Sequence, residues 1–548
     1  MVAFETRLTG EMVRTYRDAG FWQGETFHDI LTRRARQHPE REALCDGRQR
    51  VKYRELAERI DAVAAILQAR GIARRDVVTI QLPNWIDFAC AFFAVERLGA
   101  IAVQVSTDFR ARELAFILEF SQSAAFICPG RFRGFDHVQM IRELRPSLPM
   151  LRLVACTDAA VGADTVSLAD AIAGRASAAG LVPVTMEPDE IFRMAFTSGT
   201  TGNPKAVIHS HETTLSAARI QNLDLGVGAE DVLLLYLPLG LNWGYLALLQ
   251  TVIAGARAVL LDRFSAAGAL ALIESEGVTN IPTAPAAIIE LLNAPELDRT
   301  DLSSLRQVVS GGASCPVDTI REYRARMPGD FIELYGMLES GFHSYTRPDD
   351  DPEAVSGTVG RLATGLGLRI LDDADRDVAP GETGEIAGRG PSIHLGYHNN
   401  QAANAAAFTA DGWFRTGDIG HVDSNGNLVI SGRSKELVNR GGKKFHPREI
   451  EEILYASPKV LHAAVIGMPD PRLGERNCLC VVPRRGHTVT LEEMTALLDG
   501  KVATYKLPEA LEIFEALPFT PTGKLQRHRL AAEVAGRRTG QTPAAAAR

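Results

Sequence analysis

Apolar positions recur at helical spacing through residues 52–70, where Leu56, Ile60, Val63, Ala64 and Leu67 share one face and Gly71 follows as a stop. A strand over 76–82, a helix over 85–98 closed by Gly99, a strand over 101–105, a helix over 110–121 and a strand over 124–128 come next. This alternation predicts an α/β fold with a mainly parallel sheet covered by helices. Between Asp231 and Arg257 lie 25 uncharged residues, long enough on paper to cross a bilayer. Pro238, Gly240, Gly244 and Gly255 divide that run into a strand (232–237), a loop (238–242), a helix (243–254) and a second strand (258–261), so no integral membrane segment is expected.

The pattern changes twice further on. Glycine-rich turns crowd residues 357–442 and predict a distorted subdomain of short β-strands. From Pro447 a helix, strands at 460–467 and 478–482, a helix at 490–502 and a strand at 510–514 predict a small separate α+β domain. A tail from Ala531, rich in Ala, Arg, Gly and Thr, is expected to be disordered beyond a short helix.

At 548 residues the chain exceeds what one core usually serves, and a net charge of -8 without a basic stripe argues against nucleic acid as a partner. The seven cysteines are odd in number and scattered, which points to a reducing, cytoplasmic compartment. Cys478 and Cys480 alternate as one face of a strand does and are not read as a metal site. The charged N-terminus shows no secretion signal.

One loop carries the first chemical signal. Between an apolar strand (191–196) and a second strand (206–208), Thr197, Ser198, Thr200 and Thr201 offer four hydroxyls, Gly199 and Gly202 let backbone N–H groups approach an anion, and Lys205 adds a point charge. A polyphosphate suits that inventory; a polar surface hairpin is the bland alternative. A Walker-type loop would open a helix and end in Gly-Lys-Ser/Thr, whereas Pro204 precedes this lysine and Ala206 follows it.

Beyond the loop come Ser310-Gly311-Gly312-Ala313, Glu333-Leu334-Tyr335-Gly336-Met337-Leu338-Glu339-Ser340, Gly412-Trp413-Phe414-Arg415-Thr416-Gly417-Asp418, Gly432-Arg433-Ser434-Lys435-Glu436, Arg440-Gly441-Gly442-Lys443-Lys444 and Pro518-Phe519-Thr520-Pro521-Thr522-Gly523-Lys524. In this order and at these distances the motifs resemble the adenylate-forming superfamily of acyl-CoA synthetases, aryl-acid AMP ligases, peptide-synthetase adenylation domains and beetle luciferases, over roughly residues 15–530. The resemblance implies ATP-dependent activation of a small carboxylic acid as acyl-AMP with release of pyrophosphate, then transfer to CoA or to a phosphopantetheinyl carrier protein. It implies that the loop from Thr197 to Lys205 holds pyrophosphate, that Gly311, Gly312, Ala313, Tyr335 and Gly336 form the adenine slot, and that Glu339 carries Mg²⁺. Asp418 then takes the ribose hydroxyls, Arg433 lies nearby, and Lys524 reaches the reacting oxygens. Residues 1–432 would form the large AMP-binding domain, residues 433–435 a hinge centred on Lys435, and residues 436–530 the small mobile domain. That small domain would present Gly441, Gly442, Lys443 and Lys444 to the thiol.

Two positions depart from the family pattern. Leu338 stands where Thr usually precedes the metal-binding Glu, and Leu241 stands where acyl and aryl-acid ligases commonly carry His, next to Asn242 and Trp243 of the expected acyl pocket. Three readings follow: an acid-thiol ligase making acyl-CoA, a stand-alone ligase loading a carrier protein, and a weakened adenylate-binding protein.

Overall fold

The computed structural model describes residues 4–159, 162, 164–197, 204–348, 350, 352–433, 436–520 and 525–539. Among these, two large sheets face each other across a layer of helices. One sheet orders its strands Ala206–Ser210, Ile191–Phe196, Ile101–Gln104, Val77–Ile80, Ala125–Cys128, Leu153–Cys156 and Val166–Ser167. The other runs Arg361–Leu362, Gly341–Tyr345, Asp330–Met337, Gln307–Gly311, Asn280–Thr283, Val232–Leu235, Arg257–Leu260, Glu42–Cys45 and Arg50–Lys52. Pairing is parallel within both centres and antiparallel toward edges, as the alternating pattern predicted.

Helix Ile86–Arg97 is buried on all sides from Ile86 to Glu96, and helix Asn242–Ala254 from Trp243 to Val252, because both lie between the sheets and have no solvent face to make polar. The uncharged run over 232–256 is therefore core, and no described helix is long and apolar enough to cross a membrane. Asn84 joins the layers: its Nδ2 donates to the carbonyls of Leu235 (3.3 Å), Leu237 (3.0 Å) and Leu261 (3.2 Å), and its Oδ1 accepts from Leu239 N–H at 2.8 Å. A Cβ on Gly240 would lie 2.3 Å from Val105 O, so glycine lets the loop before helix Asn242–Ala254 lie flat on the neighbouring sheet.

A four-stranded antiparallel sheet (Gly367–Leu371, Gly384–Arg389, Phe414–Val422, Leu428–Arg433) forms the predicted β subdomain. The separate C-terminal domain is built on Lys443–Phe445, Val438–Arg440, Gly474–Pro483, Val460–Asp470 and Ala510–Ile513, covered by helices Arg448–Tyr455, Leu491–Leu498 and Arg527–Thr539. Cys478 and Cys480 point into one core of this sheet. The short helix expected around Ala531 is Arg527–Thr539, on which Leu530 and Val534 are buried. Residues 540–548 lie outside the described set.

Candidate functional site

Strands Ile191–Phe196 and Ala206–Ser210 pair antiparallel up to Phe196 and Ala206, and the hairpin is closed by Thr197 N–H to Lys205 O (2.9 Å) and Lys205 N–H to Thr197 Oγ1 (3.1 Å). The loop thus spans two strands, as its flanking apolar runs predict. Its Ser198, Gly199, Thr200, Thr201 and Gly202 lie outside the described residues. Lys205 leaves the hairpin with its ammonium 4.5 Å from the centre of the Tyr397 ring. Tyr397 O–H donates to Glu339 Oε1 at 3.1 Å. A cation, a phenol and a carboxylate therefore stand in one row.

Segment 392–398 holds that row together. Val207 and Tyr397 form an antiparallel bridge, His398 N–H donates to Ala206 O (2.8 Å), and His394 N–H donates to Glu339 O (2.7 Å). Burial pushes the Glu339 carboxyl above its ordinary range, partly opposed by the Tyr397 hydrogen bond and the Lys205 charge. Tyr397 is a functional candidate that sequence reasoning missed; the signal present was only Gly396-Tyr397 in a turn-rich stretch.

The second row starts from Tyr335 on strand Asp330–Met337 itself. Tyr335 O–H donates to Asp418 Oδ2 at 2.6 Å, and Arg433 Nε approaches Asp418 Oδ1 at 2.9 Å. Asp418 is buried, while Tyr335 is half-buried with its phenol held well above the usual range by desolvation and by the Asp418 charge. The strand carries Tyr335 to one row and its turn carries Glu339 to the other. Gly336 must be glycine, because a Cβ there would lie 2.3 Å from Gly341 O across the turn.

Gly311 ends strand Gln307–Gly311, and a Cβ on it would meet Leu334 O and Trp243 Cη2, each at 2.9 Å. Trp243, expected in the acyl pocket, is thus also the wall against which the Gly311–Gly312–Ala313 turn packs, with Gly312 at φ 80°. Leu241 precedes helix Asn242–Ala254 as its N-cap without a side-chain cap. Asn242 turns its Oδ1 to Arg193 Nη2 (2.7 Å) and its Nδ2 to Met337 O (3.4 Å). Leu338 gives its carbonyl to His209 Nε2 at 2.9 Å.

The small domain meets this site from the C-terminal side. Arg448 donates from Nη1 to Ile430 O at 2.8 Å and from Nη2 to Ser314 Oγ, beside Ala313. A Cβ on Gly432 would lie 2.1 Å from His446 Nδ1. Gly441 and Gly442, at φ 61° and 84°, form the turn between Val438–Arg440 and Lys443–Phe445, and Gly441 N–H donates to Leu473 O at 2.7 Å. Lys443 lies over the Tyr505 ring at 5.1 Å. These contacts tie the hairpin to its own sheet rather than to either row. Lys435 and Lys524 lie outside the described residues, as does the side chain of Lys444.

A parallel two-sheet core, a β subdomain, a C-terminal domain and the two polar rows at strand Asp330–Met337 define an AMP-forming ligase architecture. The AMP-binding enzyme family model matches residues 31–398 and its C-terminal domain model matches residues 449–524. The chain belongs to the AMP-binding enzyme family, within the adenylate-forming acyl-CoA and aryl-acid ligases. It is 35% identical over 523 residues to 2,3-dihydroxybenzoate-AMP ligase of Bacillus subtilis, covering 95% of this chain and 96% of that one. It is 34% identical over 529 residues to the medium-chain fatty-acid–CoA ligase of Escherichia coli, covering 96% and 93%. Among solved structures it resembles an anthranilate CoA ligase in complex with anthranoyl-AMP at TM-score 0.86 and 26% identity, covering 94% of this chain and 98% of that one.

Proposed function

We propose that the protein is an ATP-dependent acid-thiol ligase: a carboxylic acid and ATP give acyl-AMP and pyrophosphate, and CoA then takes the acyl group as a thioester. The observation that carries this reading is the pair of adjacent rows joined by strand Asp330–Met337 and the turn after it, Lys205–Tyr397–Glu339 and Tyr335–Asp418–Arg433. Their spacing along one strand suits a nucleotide lying across it, with adenine by Gly311–Ala313 and Tyr335, ribose on Asp418 and phosphates toward Lys205.

In the first half-reaction a carboxylate oxygen of the acid attacks the α-phosphorus, and the bond to pyrophosphate breaks with its electron pair leaving on pyrophosphate. Lys205 and the hydroxyl loop stabilise that leaving charge, and Lys524 stabilises charge on the reacting oxygens. In the second, a thiol sulfur attacks the acyl carbon and AMP leaves. Glu339 fits Mg²⁺: its half-buried carboxylate has a raised proton affinity that a cation would offset, and one carboxylate plus phosphate oxygens is a usual Mg²⁺ set. Bound there, the ion would neutralise phosphate charge. Lys435 is assigned as the hinge between residues 1–432 and 436–530, and Gly441 to Lys444 as the face offered to the thiol.

Relatives named as aryl-acid AMP ligases support a second reading, in which a carrier protein replaces CoA as acceptor. A cytoplasmic site suits either acceptor. Pyrophosphate release is measured with ATP and a panel of small aryl, alicyclic and medium-chain acids, followed by a CoA thioester endpoint. Release with at least one acid and thioester formation without a carrier support the first reading. Release without any CoA thioester moves the assignment to the second, and no release with any acid leaves an adenylate-binding protein.

A further inference from the structure

Arg193 lies in the middle of strand Ile191–Phe196, directly across from His209 on the neighbouring strand, and is only 1% exposed. A guanidinium so deep in a core is costly unless a negative charge compensates it. Among the described residues it has none: Nε donates to Gln104 Oε1 (3.1 Å), Nη2 donates to Asn242 Oδ1 (2.7 Å), and the group lies 4.4 Å above the Tyr245 ring. All three partners are neutral. Burial alone lowers its proton affinity, to a pKa of about 10, so it remains charged at neutral pH.

This cation borders a small internal cavity with room for about one water molecule. Arg193, Asn242, Thr214 and Ser392 line it on the polar side, Leu246 and Leu338 on the apolar side. Thr214 is 2% exposed and its hydroxyl has no hydrogen-bond partner. The Nε2 of Gln104 and the hydroxyl of Tyr245, on two of the groups that touch Arg193, are also buried without partners. His209 does not supply a second charge, since burial and the neighbouring Arg193 and His394 hold it neutral. The cavity thus gathers one fixed positive charge, an unused hydroxyl donor and no acid.

We propose that this cavity is an anion site, taking one monovalent anionic group between Arg193 and Thr214. Two sources offer that chemistry: a free halide, or one carboxylate oxygen of a second acidic substituent on the acid substrate. Asn242 connects the two possibilities. It bonds Arg193 on one side and Met337 O on the other, so charge compensation at Arg193 is felt where the acyl pocket is expected. The substrate source rests on the ligase reading; the halide source does not.

The test uses the full chain exchanged into sodium gluconate, an anion too large for the cavity, with chloride or bromide titrated in at constant ionic strength. A saturable rise of a few degrees in melting temperature, absent in Arg193→Met and weakened in Thr214→Val, assigns the site to a free halide. If halide does nothing, KM values are compared for matched acids with and without a second carboxyl. A preference of about tenfold or more for the substituted acid, lost in both variants, assigns the site to the substrate. Thr214→Val keeps the cavity and its volume, so it carries the test if Arg193→Met does not fold. A halide effect that both variants retain, or neither effect in the wild type, overturns the proposal and leaves Arg193 compensated by neutral dipoles.

Discussion

Leu338 and Leu241 are the two positions expected from the sequence to depart from the family pattern, and the structure gives them different neighbours. Leu338 holds His209 through its backbone carbonyl, which a substitution keeps, while its side chain borders the Arg193 cavity. Leu338→Thr is therefore expected to fold and to raise adenylation by up to about tenfold, the value of a hydrogen bond near 1.4 kcal/mol realised in the transition state. Pyrophosphate release at saturating substrates checks it. Leu241→His places a polar ring at the start of the helix that carries Asn242 and Trp243; the acid's KM is expected to rise while the ATP KM holds. A change confined to ATP would place this residue away from the acyl pocket. A third residue tests the core. Glu96 is fully buried 3.5 Å from His211; desolvation pushes its pKa up to about 8 and His211 down to about 3, so the two form a neutral pair rather than an ion pair. An acid with a raised folded pKa contributes stability that is whole below the unfolded value and is lost as pH rises through about 8. Glu96→Gln should flatten that loss, by at most about 1.4 kcal/mol per pH unit, when stability is measured between pH 5 and 9.

At the scale of elements, what the sequence made legible and what it hid have separate causes. Helices over 53–69 and 86–97 and their strands could be read because burial on one or all faces leaves a periodic or unbroken apolar record. Tyr335, Glu339, Asp418 and Lys205 could be named from motif order, and the described structure brings them to two adjacent rows. Tyr397 could not, because its place depends on a single bridge to Val207 and a bond to Glu339, both long-range. Arg193 was concealed for a related reason: one arginine inside an apolar run looks like an interruption until the partners around it are seen. The same holds for the contacts of helix Arg448–Tyr455. Arg448 bonds Ile430 and Ser314, and His446 occupies the space a Cβ on Gly432 would need. Arg448→Ala and Gly432→Ala should each loosen this docking and speed proteolytic cleavage near residues 433–436 several-fold. Unchanged cleavage would mean these contacts do not hold the C-terminal domain in place.

For the whole molecule we propose one division of labour, in which the large domain would bind nucleotide and acid, and the C-terminal domain would bring Lys524 for adenylation and withdraw it for thiol attack. Lys435→Pro should spare pyrophosphate release and slow thioester formation, since proline fixes φ and restrains the residue before it. The most direct measurement takes the two half-reactions apart in Lys524→Ala. Acid-dependent exchange of labelled pyrophosphate into ATP reports adenylation, and preformed acyl-AMP supplied with CoA reports thioester formation. The wild-type protein is expected to do both, and the variant to lose exchange by several orders of magnitude while keeping thioester formation near the wild-type rate. Equal loss in both assays, or no acid-dependent exchange in the wild type, would contradict that division of labour.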